Sequence, residues 1–207
     1  MKLFSAYRAP NPRRVLMFLA EKGIGGIDIE NVDLNQGQHK SADFLLKSPL
    51  AKVPALELGD GRVLTETRAI CTYLEGLYPQ HNLMGADATE RAFIEMADRR
   101  VEWYLMVPLA MAIRHTHPGL AVLESPQFPE CGRSQGEKGL EVARWFDQQL
   151  QTQPWMAGER FTIADITAFC ALEFARGLMK LVPADHGLQA LQEWRDRVAE
   201  RPSAKAV

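Results

Sequence analysis

The sequence predicts a small α/β unit followed by an all-helical one, and three observations carry that reading. Up to about residue 78, short apolar or alternating runs interchange with helical periodicity, in the order strand, helix, strand, helix, strand, strand, helix. The run Pro79-Gln80-His81-Asn82-Leu83-Met84-Gly85 then breaks the pattern. Beyond it only helical stretches follow, with no convincing strand.

The elements justify themselves in turn. Lys2 to Ala6 is a short apolar run, ended by Pro10-Asn11-Pro12. Arg13 to Lys22 has the apolar spacing of a helix, with Gly23 at its C-terminal cap. Ile27 to Val32 alternates like a half-buried strand, and Ser41 to Lys47 suits one short helix. Val53 to Leu58 and Arg62 to Leu64 form a hairpin around Asp60-Gly61. Thr65 caps the helix that carries Ala69, Ile70, Tyr73, Leu74 and Leu77. In the second part, Ala88 to Arg114 is one long helix that Pro108 is expected to kink. Gly136 to Gln151 and Gly187 to Arg201 are further helices. Between them Phe161-Thr162-Ile163-Ala164-Asp165-Ile166 is a full helix-start signal: Thr162 and Asp165 stand at capping-box spacing, and Phe161 is placed to staple onto Ile166.

Bulk properties exclude several function classes. With 207 residues, 24 basic and 26 acidic side chains and a net charge of −2, the chain shows no basic surplus for nucleic acid or an anionic membrane. No run is apolar enough to cross a bilayer, and no leader pattern precedes Met1-Lys2-Leu3-Phe4. Cys71, Cys131 and Cys170 are scattered and odd in number, which argues against disulfide, CxxC or zinc chemistry and fits a reducing cytoplasm.

The segment Lys52 to Ile70 carries the chemistry. A proline inside a strand-like run belongs at an edge or bulge, and after a β-compatible residue it often marks a cis peptide. Such a bulge leaves the Val53 amide and carbonyl facing outward, where an extended peptide can dock as an added strand. One hairpin later, a helix start offers N–H groups and a positive dipole end to a carboxylate, and Glu66 beside it suits an ammonium group.

Val53-Pro54, Glu66-Thr67-Arg68-Ala69-Ile70 and Phe161-Thr162-Ile163-Ala164-Asp165 together make the chain resemble the cytosolic glutathione transferases, over essentially its whole length. Tyr7-Arg8-Ala9-Pro10-Asn11-Pro12-Arg13-Arg14-Val15, Gly37-Gln38-His39-Lys40 and His117-Pro118-Gly119-Leu120 are most similar to the fungal and bacterial branch of the yeast Gtt2 type. The resemblance implies a thioredoxin-like glutathione-binding domain over residues 1–80, a linker at 81–87 and an all-helical bundle domain over 88–207. It implies that Val53, beside Pro54, pairs with the cysteinyl part of glutathione. Glu66 and Thr67 then hold the γ-glutamyl group, and His39, Lys40 and Lys52 face the glycyl carboxylate. Met106, Arg114 and Phe169 become candidates for the second-substrate pocket, with Trp103 and Met111 nearby. A cytoplasmic homodimer using glutathione and an apolar electrophile is expected, with Met96, Arg99, Arg100 and Trp103 at the interface and no metal.

The group that ionises the thiol is the open question. A free thiol has a pKa near 8.5, and lowering it by about two units takes roughly 2.7 kcal/mol. Family members commonly place a serine, cysteine or tyrosine ahead of the first helix, whereas Ala9-Pro10-Asn11-Pro12 holds neither hydroxyl nor thiol. The candidates are the Asn11 amide, the upstream Ser5 and Tyr7, and, as the resemblance to the Gtt2 type implies, a water held by His115 or His117 with Arg114 adding charge. The i, i+2 spacing of the two histidines splays them apart and does not suit a metal. Two alternatives stand beside conjugation: glutathione-dependent reduction of disulfides or peroxides, and a transferase-like module that binds without catalysis.

Overall fold

Lys2–Ser5 forms strand β1, with Leu3 and Phe4 both buried, so the strand runs through the middle of a sheet. The computed structural model describes residues 1–205. Asp28–Asn31 forms β2, parallel to β1 with Leu3 opposite Ile29. Ala55–Glu57 (β3) runs antiparallel to β1, and Val63–Thr65 (β4) antiparallel to β3 with Leu56 opposite Leu64. Among the described residues the sheet order is β2-β1-β3-β4. The expectation of a half-buried second strand is corrected, because β2 is exposed throughout and burial resumes only at Val32. Its acidic residues instead meet Lys2, whose Nζ lies 2.6 Å from Glu30 and 3.7 Å from Asp28.

Helix α1 spans Pro10–Glu21 and starts three residues earlier than the sequence suggests. Pro10 and Pro12 fall in its first turn, where a missing N–H breaks no intrahelical bond. Its inner face buries Val15, Met17, Phe18 and Leu19 and also Arg14. A 3₁₀ turn at Gln38–Lys40 leads to the short α2 (Ala42–Leu45), capped by the Ser41 hydroxyl accepting from Phe44 N–H. Helix α3 (Thr67–Leu77) buries Thr67, Ile70, Cys71 and Leu74. Its N-cap is Glu66 rather than Thr65, which closes β4. Lys22, at the end of α1, is buried with its Nζ 2.9 Å from the Glu75 carboxylate of α3 and donates to the Gln80 and His81 carbonyls just beyond α3.

The chain from Ala88 to Thr116 is continuously helical. Asp87 caps α4 (Ala88–Arg100), a π-helical stretch covers Val101–Met106, and α5 (Val107–Thr116) follows. The irregularity therefore lies in the turns just before Pro108. Pro108 has no N–H to return, and the wide turn absorbs the mismatch, with Val107 N–H reaching back to the Glu102 carbonyl. Helix α6 (Pro129–Leu150) begins seven residues before the expected Gly136. Its glycines face α5: a Cβ at Gly132 would lie 2.6 Å from Thr116, and one at Gly139 would lie 2.9 Å from Leu109. Helices α7 (Ile163–Met179) and α8 (Gln189–Ala199) complete this part, and the short α9 (Pro202–Lys205) follows.

Contacts divide the described residues into two units, Met1–Asn82 with the segment from Pro202, and Leu83–Arg201. The last turn thus packs in the first unit and not in the helical domain to which the sequence assigns it. Arg13 donates to the Ala204 carbonyl, and the Ser203 hydroxyl meets Glu21. No helix among the described residues is long and apolar enough to cross a membrane.

The expected capping box at the start of α7 is present. Thr162 accepts from Ala164 N–H, and Asp165 accepts from Thr162 N–H at 2.9 Å. The same carboxylate also takes Met156 N–H and the Trp194 indole N–H, each at 2.9 Å. Phe161 is buried edge-on against Trp155, under the Arg201 guanidinium. Complete burial raises the Asp165 carboxyl to about 6 from an ordinary 3.8, against four hydrogen bonds that favour the charge. A raised folded-state pKa makes this group's contribution to stability full below pH 3.8 and lost as pH rises through about 6. Urea unfolding across that window should show Asp165→Asn without this component of the pH dependence. Asp165→Ala should lower stability by about 3 kcal/mol, losing the cap and orphaning Trp194 N–H.

Candidate functional site

The segment before β3 is held by Ser48, which is buried to 1% exposure. Its hydroxyl accepts from Lys52 N–H at 3.1 Å and donates to the Lys52 carbonyl at 2.8 Å. Both polar groups of Lys52 are thereby turned inward, and Val53 follows outside the strand ladder. The Val53–Pro54 peptide is cis. Val53's side chain packs on Phe4, Val32, Phe44 and Ala55, and Pro54 is buried. Among the described residues neither the amide nor the carbonyl of Val53 has a hydrogen-bond partner. The expectation that this bulge leaves the Val53 backbone unpaired is met.

Glu66 lies across the hairpin with φ 63° and ψ 119°, a sparsely populated conformation for a non-glycine residue. It starts α3 with no side-chain cap, so the helix's first N–H groups and positive end face outward beside an exposed carboxylate. Thr67 is buried, and its hydroxyl lies 3.5 Å from the Asn11 carbonyl in the first turn of α1. Two helix heads therefore stand side by side. Asn11 is exposed, and its Oδ1 accepts from the buried Arg14 at 3.3 Å.

His39 is buried within the field of Lys40 and Lys52, both exposed. Burial first, and then those two lysines, hold its imidazole below the ordinary 6.5. At neutral pH it is therefore a neutral donor and acceptor, and the two lysines supply the positive charge. Its Nδ1 is buried without a hydrogen-bond partner among the described residues.

The remaining candidates separate. Ser5 is buried at the end of β1 as an inner strand residue. Tyr7 is 71% exposed, its ring against Arg8 and its N–H on Asn31. In the helical unit both histidines use Nδ1 to cap backbone. His115 accepts from Phe128 N–H at 3.2 Å at the head of α6, and His117 accepts from Gly119 N–H at 3.1 Å. With Nδ1 accepting, the His115 proton sits on Nε2. Arg114 lies by the Leu123 carbonyl and Glu124, each at 3.5 Å, while Gln127 ties the Arg114 and His117 carbonyls. Met106 and Phe169, 5% and 1% exposed, are core side chains of this unit. Trp103 is 60% exposed. Among the described residues no group of three or more His, Cys, Asp or Glu side chains is placed to hold a metal ion. Ser48 and Arg14 escaped the sequence reading; a buried serine or arginine is signalled only by contacts distant from its neighbours in the chain.

Comparison with known proteins defines the class. Residues 3–82 match the family model described as glutathione S-transferase, N-terminal domain, and residues 129–197 match that described as glutathione S-transferase, C-terminal domain. The chain belongs to the glutathione S-transferase family, with a thioredoxin-like first unit and a helical second one. Over its full length it is 35% identical to glutathione S-transferase 2 of Saccharomyces cerevisiae, covering 89% of that protein. The crystal structure of Gtt2 from the same yeast superposes with a TM-score of 0.93 at 34% identity, with both chains covered completely. A glutathione S-transferase domain-containing protein of Marinobacter aquaeolei also gives 0.93, at 39% identity over 98% of this chain and 99% of its own.

Ser48→Ala removes the clamp on Lys52. It should lower unfolding stability by about 1–3 kcal/mol, measured by urea denaturation, while Ser48→Thr keeps most of it where the extra methyl is accommodated.

Proposed function

We propose that this protein is an enzyme that binds glutathione, stabilises its thiolate and joins the sulfur to an electrophilic carbon of a small apolar molecule. The observation that carries this reading is the Val53 backbone, unpaired among the described residues beside Pro54, one hairpin from the uncapped head of α3. A tripeptide with an amine at one end and carboxylates at both is complementary to that surface. Val53 pairs with the cysteinyl backbone, the α3 head and Thr67 take the γ-glutamyl carboxylate, and Glu66 takes its ammonium group. His39, Lys40 and Lys52 receive the glycyl carboxylate; an anion there also raises the His39 pKa, so the imidazole gains a proton more readily once the site fills.

The reaction begins with loss of the thiol proton to water. The sulfur lone pair then forms the S–C bond, while a leaving group departs with its electron pair or, in an addition, an adjacent carbon takes up a proton. Asn11, exposed at the head of α1 beside the head of α3, is the hydrogen-bond donor that the first unit offers to the sulfur. The first turn of α1 carries no thiol, so a mixed disulfide with the protein has no anchor there.

The protein acts as a cytoplasmic homodimer in this reading. Support comes from Phe93, Met96, Trp103 and Tyr104, all exposed, beside a shallow apolar cleft of Tyr104, Val142, Trp145 and Phe146 in which Arg100 stacks on Trp145. The face fits a self-complementary interface.

Calorimetry should give glutathione binding in the micromolar to millimolar range, and chlorodinitrobenzene should be conjugated; absence of both heat and turnover defeats the proposal. Glu66→Ala should weaken glutathione binding about tenfold, removing the charge-assisted contact to the amine. Trp103→Glu should shift the sedimentation coefficient to that of a monomer.

A further inference from the structure

We infer that Arg14 is a positioning residue that fixes the Asn11 amide as the thiolate's hydrogen-bond donor, an inference that rests on the proposed glutathione site. A helix head ordinarily meets an anion with backbone N–H groups. In α1 the first three residues are Pro10, Asn11 and Pro12, and two of these have no N–H. The next amide, that of Arg13, is turned back onto the Ala9 carbonyl at 3.2 Å, and Ala9 caps with no side chain. Asn11 therefore supplies the donors that this head presents: its own backbone N–H and its side-chain amide.

An amide side chain points either its oxygen or its nitrogen at a neighbour, and the neighbour here decides which. Arg14 has only donors, so the Asn11 atom 3.3 Å from its Nη1 is the oxygen. The NH₂ group is then directed away, and among the described residues it has no partner. Arg14 is 1% exposed, one turn further along the buried face of α1, so its guanidinium is held by packing and does not swing. The Thr67 hydroxyl at the Asn11 carbonyl places this amide beside the head of α3, where the γ-glutamyl group is seated. The buried cation further polarises the amide, which strengthens its N–H donors toward a thiolate.

The test follows the thiolate absorbance of bound glutathione over a pH series, with calorimetry on the same samples. Asn11→Ala should cut the thiolate fraction near neutral pH about tenfold, as the loss of one hydrogen bond to an anion does, with the Kd for glutathione little changed. Arg14→Met should do nearly the same in the native background and add almost nothing in the Asn11→Ala background, because both act through one amide. Arg14→Lys, which keeps the buried charge for folding but not the planar fork, should lose part of the effect and show the same dependence on Asn11. Intact binding with a thiolate fraction indifferent to Asn11, or Arg14 effects that multiply with that of Asn11→Ala, overturns this inference alone. Absence of glutathione binding by the native protein overturns the proposed function and the inference with it.

Discussion

A carboxylate sealed from water organises the helical unit. Asp165 is wholly buried, and its oxygens are divided among the Thr162 and Met156 amides, the Thr162 hydroxyl and the Trp194 indole. One side chain thus closes the head of α7, pins the turn that precedes it and orients the largest side chain of α8. The apolar body of α7, with Ile163, Ile166, Phe169 and Leu172 all buried, is laid in place by that polar knot. Burial opposes the charge while four donors favour it, and the compromise is a group that titrates near pH 6.

The first unit works the other way and leaves polar backbone open. The sheet ladder stops at Ala55, and Ser48 turns the polar groups of Lys52 inward, so Val53 is the point at which pairing capacity reaches the surface. The head of α3 is open as well, because Glu66 adopts a positive φ and caps nothing. The main-chain atoms exposed there are held in place by buried side chains such as Ser48. In the same unit, burial first and then the charges of Lys40 and Lys52 hold the His39 imidazole below its ordinary pKa.

What the sequence revealed was what neighbours in the chain decide. The cis proline, which lies just ahead of β3 and not inside it, the Asp60-Gly61 turn and the Thr162–Asp165 cap each follow from residues within a few positions of one another. Boundaries set by packing were harder to read. The glycines of α6 look like breakers until their close approach to α5 is known, and β2 alternates without a buried face. The Lys22–Glu75 pair, the Trp194 bond to Asp165 and the burial of Arg14 join residues far apart or hide a charge that composition places outside. Within the candidate site, the unpaired Val53 backbone was legible and the hydrogen-bonding state of the histidines was not, since each ring's Nδ1 is taken by a backbone amide.

The placement of α9 bears on synthesis. Residues 202–205 belong with a unit whose other members all lie before residue 83, and they seat Ala204 and Ser203 against Arg13 and Glu21 of α1. On a ribosome the sheet and its three helices emerge first, yet the segment that bonds to Arg13 and Glu21 follows only after the entire helical portion has been translated. A nascent chain halted before Pro202 therefore lacks the bonds that Ala204 and Ser203 make to Arg13 and Glu21.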